Sequence, residues 1–285
     1  MGKLLHQWHC NKKTISLGEN TLVMGILNTT PDSFSDGGLF NSARKGLKKA
    51  VKMAEEGADI IDIGGESTRP GAKKIDVAEE INRTIPIIKL IRQELPNILV
   101  SIDTTKSQVA EKALQAGADI VNDISAMTFD PKIKQIIKKY NAGLILMHMQ
   151  GTPQDMQINP QYKDVYSDVK NFLSKKYKEA EEAGINRQSI ILDPGIGFGK
   201  SLEHNLTLLK SLDRLTNEMP ILLGLSRKSF IGSILNRANP NERLSGGLAA
   251  NAFAIMKGAH ILRVHDVLET CDLCKMMDNL LREEI

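Results

Sequence analysis

Cysteine is scarce in this 285-residue chain, with three residues at positions 10, 271 and 274. Three thiols cannot build a disulfide framework, and their scarcity points to a reducing compartment. Cys271 and Cys274 stand as a C-x-x-C, but without the second pair of a zinc ribbon. They fall in a helical pattern, so partly buried helix cysteines are the simpler reading. No apolar run approaches the roughly 18–20 residues of a membrane span. The opening MGKLLHQWHC lacks the apolar core of a signal peptide, and position 6 is His, not the Ser or Thr of a myristoylation signal. The expectation is a cytoplasmic chain with no membrane partner. An excess of one charge is missing too. Lys and Arg number 37 against 34 Asp and Glu, a formal net charge of +3, which gives no reason to invoke a nucleic-acid track. No linker or low-complexity tract divides the chain, so a single domain over 1–285 is expected.

What is present is a repeated alternation. Leu4 to Leu17 reads as a small hairpin around Cys10–Asn11–Lys12–Lys13, placed within 1–21. Eight apolar runs follow in 22–285: Leu22–Leu27, Ile60–Ile63, Ile98–Ile102, Ile120–Ile124, Leu144–Met147, Ile190–Leu192, Ile221–Leu225 and Ile261–Val264. Most are continuous, as expected of parallel strands buried on both faces. Helical patterns separate them: Ala43–Glu56, Val77–Glu94, Lys106–Gln115, Pro131–Tyr140, Val165–Ala183, Leu202–Leu215, Ser229–Leu235, Arg243–Lys257 and Val267–Arg282. Thr105 with Gln108 fits a capping box, and Ser201 an N-cap. Gly–Ala pairs at 57, 117 and 258 fit helix C-termini. Eight β/α units of this total length predict an α/β fold, a (β/α)8 barrel behind a short hairpin; an open doubly wound sheet is the rival.

In such barrels the carboxyl ends of the strands carry the chemistry. Here they run into Asn28–Gly38, Gly64–Gly71, Asp103, Asn122–Asp123, His148, Asp193–Lys200, Ser226–Ser229, and Arg263 with His265 and Asp266. Polar residues at one strand end are ordinary loop solvation; eight at one rim suggest a ligand. Gly195–Ile196–Gly197–Phe198–Gly199 is not G-x-G-x-x-G. Gly199–Lys200–Ser201 has Pro194 where a P-loop needs its first glycine, so a Walker nucleotide site is rejected.

The strings MGILNTTPDSFSDGG, DIGGESTRPGA, SIDTTK, VNDIS, LMHMQGTP, LDPGIGFGKS, GLSRKSFIG and RVHDV appear in order from residue 24 to 267. Through them the chain resembles the dihydropteroate synthase family, folate-pathway transferases of the pterin-binding barrel group. The resemblance implies condensation of 4-aminobenzoate with a dihydropterin carrying a methylene diphosphate, with pyrophosphate released and Mg2+ as cofactor. It implies Asp103, Asn122, Asp193 and Lys228 on the pterin, with Met147 and Ile124 against its faces. A carboxylate suits the adjacent N–H donors of the pterin edge. Read alone, Asp103 also suits a helix cap, Asp193 a turn, and Met147 and Ile124 plain core. It implies Asn28, Thr68, Arg263 and His265 for the diphosphate, with Asn28 as metal ligand; taken alone, Asn28 suits a turn. It implies Phe34, Thr68, Pro70, Phe198, Lys228 and Ser229 for 4-aminobenzoate, and Asp36, Arg69 and Lys228 as catalytic. Loss of diphosphate before amine capture is the expected order, with Asp36 shielding the cationic carbon. A homodimer is implied, fitting the charge-free Leu244–Met256 stretch. The rivals are a methyltetrahydrofolate–corrinoid methyltransferase, which should lack TPDSFSDGG and SRKSF, and a non-catalytic pterin-binding paralogue.

Overall fold

The structure, a computed structural model, describes residues 5–29, 38–68, 71–216 and 219–282. β1 (His6–Cys10) and β2 (Lys13–Leu17) pair antiparallel around Asn11, whose φ of +59° closes the turn. There follow β3 (Leu22–Asn28), α1 (Gly38–Glu55), β4 (Ile60–Gly64), α2 (Val77–Glu94), β5 (Leu99–Asp103), α3 (Ser107–Ala116), β6 (Ile120–Asp123), α4 (Ile133–Tyr140) and β7 (Gly143–Met147). The second half holds α5 (Val165–Glu182), β8 (Ile190–Asp193), α6 (Leu202–Lys210), α7 (Asp213–Thr216), β9 (Leu222–Leu223), α8 (Ser229–Leu235), α9 (Leu244–Met256), β10 (Ile261–Val264) and α10 (Val267–Leu281). The eight long-range strands are parallel, in the order β8-β7-β6-β5-β4-β3-β10-β9. A bridge between Leu192 and Ile221 joins the two edges and closes the barrel.

Strand side chains alternate between lumen and helices. The outward set packs with the helices as one continuous core around Ile61, Ile63, Val100, Ile102, Val121, Leu144 and Leu262. The inward set forms a plug, one residue per strand: Met24, Ile60, Leu99, Ile120, Ile145, Ile191, Leu222 and Ile261. The hairpin seals that end with Trp8, Cys10 and Leu17. The Trp8 indole N–H donates to Ser189 O at 3.0 Å, so the ring is buried without an orphaned donor. Burial of such an indole is worth on the order of 3–5 kcal/mol. The plug shuts the amino end, which leaves the carboxyl end for a ligand.

Three local expectations change. The stretch Leu202–Leu215 is two helices: Ser211 leaves helical geometry (φ −99°, ψ 10°) and turns Leu212 into the core. β9 keeps only Leu222–Leu223 of the apolar run Ile221–Leu225, since Gly224 begins the turn toward the rim. The Thr105 capping box does not form. α3 starts at Ser107, and its amide is taken by Asp130 Oδ2 at 2.8 Å from the next loop. Ser201 does cap α6, with His204 completing a reciprocal pair, and Gly57, Gly117 and Gly258 take left-handed φ of +102°, +110° and +88°.

Candidate active site

Two residues above the plug, the lumen turns polar. Stepping inward along the strands gives Asp62 on β4, Ser101 on β5, Asn122 on β6, Asp193 on β8 and Arg263 on β10, and then Asn28, Gly64 and Asp103 at the rim. Arg263 ties this floor together. Its Nε donates to Asp62 Oδ2 at 2.6 Å and its Nη2 to Asp103 Oδ2 at 2.6 Å. Asn122 Nδ2 donates to the same Asp62 oxygen at 3.2 Å. Burial pushes the Asp103 carboxyl up to about 7, Arg263 opposing and the neighbouring carboxylates adding. Asp103 is therefore part of this floor and not a helix cap. Asp62 is fully buried, and its Oδ1 has no partner among the described residues; nor does Ser101 Oγ, directly across the β4–β5 register. Asp62 is a residue that the sequence reading passed over. Its signal was a carboxylate inside an apolar run, in phase with Ile60.

The opposite wall comes from the loops after β8 and β9. Asp193 is buried beside Met147 in register, and its Oδ1 accepts from Gly195 N at 2.7 Å. Burial raises its carboxyl above the ordinary range, while Lys228, the Gly195 amide, Lys200 and Arg263 pull the other way. The loop Gly195–Gly199 carries three left-handed glycines, with φ of +66°, +82° and +63°. A Cβ at Gly195 would run into His148 O, so this backbone lies directly on the β7 exit. Lys200 braces the loop from behind, with Nζ 2.9 Å from His148 Nδ1 and 3.0 Å from Phe198 O. Burial lowers Lys200 to about 7, and burial with Lys200 alongside lowers His148 to about 3, which favours the neutral imidazole. His148, a strand-end residue in the sequence, is thus a strut and faces Phe172 on α5. On the lumen side Lys228 donates to Ile196 O and sits 4.7 Å above the Phe198 ring. Burial lowers its ammonium to about 8, with Asp193 opposing.

The floor and this wall face one another. Gly224 lies between them: a Cβ there would make ordinary contacts, 3.8 Å to Arg263 Cβ and 3.9 Å to Lys228 Nζ. A Cβ on Gly64 would lie 3.8 Å from Asn28 Oδ1 and 3.8 Å from Asp103 Oδ2. Thr29 fixes that corner by donating its amide and hydroxyl to Gly64 O. His265 lies two residues beyond Arg263, its Nδ1 3.2 Å from Ser226 Oγ, and Ser229 opens α8. Ile124 is buried at the end of β6, where Asp123 holds the turn by accepting from Ser125 and Met127. Ile124 also lines a cavity of about 640 Å3 among Glu66, Lys106, Phe129 and Pro153, which none of the floor residues lines. Thr68 is half-buried after Glu66, which Lys106 anchors at 2.5 Å. Phe34, Asp36, Arg69 and Pro70 lie outside the described residues. The arrangement can hold a flat, hydrogen-bonding ring against buried carboxylates and an anion near Arg263.

A model of the family "pterin binding enzyme" matches residues 24–265. The dihydropteroate synthase of Synechocystis is 50% identical over 283 residues, which cover 99% of this chain and 94% of that protein. The solved structure of Xanthomonas albilineans dihydropteroate synthase with 4-aminobenzoic acid superposes with a TM-score of 0.91 at 39% identity, covering 99% of this chain and 100% of that one. A Yersinia pestis dihydropteroate synthase in complex with a sulfonamide drug gives 0.89 at 40%, with 96% and 98% covered. By its collinear motifs, its closed barrel and these relatives, the chain belongs to the pterin-binding enzyme family and, within it, to the dihydropteroate synthases.

Proposed function

We propose that this chain joins a (7,8-dihydropterin-6-yl)methyl diphosphate to 4-aminobenzoate, giving 7,8-dihydropteroate and diphosphate. The observation that carries the reading is the set of buried carboxylates, Asp62 and Asp103 on the floor and Asp193 on the facing wall, set around Asn122 and balanced by Arg263 and Lys228. Buried carboxylates are costly unless a ligand or a partner completes them. Asp193 and Asn122 take the pterin edge, Asp103 and Lys228 its ring heteroatoms, and Met147 and Ile124 its faces. Phe198, Lys228 and Ser229, with Thr68, Phe34 and Pro70, form the second slot. The bound 4-aminobenzoic acid and sulfonamide of the two solved relatives support a slot of that chemistry.

Asn28 Oδ1, at the rim beside Gly64, is a hard oxygen donor that fits Mg2+. Among the described residues no cluster of three or more His, Cys, Asp or Glu offers a full cage, so diphosphate oxygens and water would fill the shell. Bound there, the ion would neutralise charge on the leaving diphosphate. Arg263 and His265 hold that anion, and Asp36 and Arg69 complete the catalytic set in this reading. The carbon–oxygen bond of the substrate breaks with its electron pair leaving on the diphosphate. The neutral arylamine then bonds to the methylene carbon and releases one proton to solvent. The protein's part is orientation and fixed charge. With both substrates and Mg2+, purified protein is expected to form dihydropteroate, to stop on chelation and to be competed by a sulfonamide at the 4-aminobenzoate site. Pterin binding without product would instead favour a non-catalytic paralogue, and methyl transfer to a corrinoid the methyltransferase.

Apolar side chains stand exposed on α8, α9 and α10: Ile234, Leu235, Phe253, Met256, Leu268 and Met276. A patch of this kind marks an interaction surface, and a second copy of the chain is the proposed cover. Light scattering at micromolar concentration is expected to give about twice the mass of 31.4 kDa; a monomer would dismiss the idea.

A further inference from the structure

Seven non-glycine residues among those described have positive φ, and four are asparagines, which tolerate it. Arg227 is different. It is a long side chain at φ +61°, in the turn between β9 and α8 and immediately before Lys228. A left-handed arginine is unfavourable by itself, so something must hold it. The holding groups are visible. Arg227 Nε and Nη2 donate to Asp266 Oδ2 and Oδ1 at 3.2 and 2.5 Å, a two-point fork. Its Nη1 donates to Asn241 at 2.7 Å, and its carbonyl accepts from Arg243 Nη1 at 2.9 Å. Asp266 is itself fixed between β10 and α10, its carbonyl accepting from the Thr270 hydroxyl at 2.7 Å. The guanidinium faces α10 and the loop ahead of α9, not the lumen.

We infer that Arg227 and Asp266 form a clasp that holds the β9–α8 turn in its left-handed form and so aims Lys228 across Phe198 into the active site. Both are positioning residues, and the inference rests on the synthase reading above. The clasp works through the backbone, which gives it a distinctive signature. Arg227→Ala loses the fork and keeps the left-handed penalty. Arg227→Gly loses the same fork but adopts positive φ freely. If Arg227 served packing or touched substrate, glycine would be no better than alanine, because it also loosens the unfolded chain.

Steady-state kinetics on four variants test this. Asp266→Ala and Arg227→Ala are expected to raise KM for 4-aminobenzoate and lower kcat/KM by about tenfold, the scale of one left-handed residue. Arg227→Gly should recover most of that loss, and adding Asp266→Ala to Arg227→Gly should then change kcat/KM by less than about twofold. Equal impairment of the alanine and glycine variants, or a full Asp266→Ala effect in the glycine background, would overturn the clasp. Hydrogen exchange reads the turn without turnover. Amides of residues 228–231 are expected to exchange at least about tenfold faster in Asp266→Ala, and unchanged rates would also overturn the inference. An unaltered chain that makes no dihydropteroate refutes the enzymatic reading instead, and the exchange result then decides the clasp alone.

Discussion

Asp193→Asn is expected to abolish measurable pterin binding while leaving the barrel as stable as before, or more so. The carboxylate is buried at the end of β8, and its charged form is disfavoured there, since burial outweighs the nearby cations. A side chain kept in that state is not there for the fold. What it offers is an anionic acceptor for adjacent ring N–H groups, and removing one partner of a buried charged hydrogen-bond pair costs about 2–5 kcal/mol in binding. The lower figure alone is more than an order of magnitude in Kd. Asparagine keeps the shape and one oxygen for the Gly195 amide, now 2.7 Å from Asp193 Oδ1, so the glycine loop should stay in place. It also presents an NH2 where the ring presents its own donors. Calorimetry with a pterin and thermal unfolding on the same preparation check the pair of outcomes. Normal pterin affinity, or loss of affinity accompanied by unfolding, would remove Asp193 from the role given to it.

The relation between chain and site shows which physics is local. Runs such as Ile60–Ile63 and Ile120–Ile124 were legible as strands because both faces of a parallel barrel strand are buried. The same feature hid Asp62. In a run expected to be apolar throughout, its inward phase with Ile60 stood out less than the polar residues after the strand. Asp103, Asn122, Asp193 and Arg263 could be named because each ends or nearly ends its run. Their mutual wiring could not, since the Arg263–Asp62 and Arg263–Asp103 bonds span 201 and 160 residues. Lys200 stood in the rejected P-loop-like string Gly199–Lys200–Ser201, and its partner, His148, lies 52 residues away. The missing Thr105 cap has the same cause: Asp130, 23 residues on, supplies the acceptor to Ser107. Arg227 bears no local mark at all. A left-handed turn is announced by glycine or asparagine, and here a tertiary ion pair takes over that function.

Arg263→Leu should be the most damaging single change to the fold at this site, and its cost should depend on pH. One guanidinium serves Asp62, which is fully buried, and Asp103, which is nearly so. Breaking a buried ion pair from one side leaves an uncompensated charge and costs about 3–5 kcal/mol. Asp103 sets the pH dependence. Its folded carboxyl, at about 7 even with Arg263 present, holds a proton through the window from 3.8 to about 7, where the unfolded chain has already released it. Stability therefore falls as pH rises through that window. Without Arg263 the carboxyl moves higher still, and the window extends upward. Urea unfolding should accordingly show a deficit clearly larger at pH 8 than at pH 5.5, where protonation substitutes for the missing cation. Arg263→Lys separates charge from geometry. An ammonium restores part of the stability, but it lacks the planar fork that spans Asp62 and Asp103 together. Its turnover should stay depressed after its stability has partly returned. A deficit below about 1 kcal/mol, or one that is equal at the two pH values, would mean that Arg263 does not carry the charge balance of the floor.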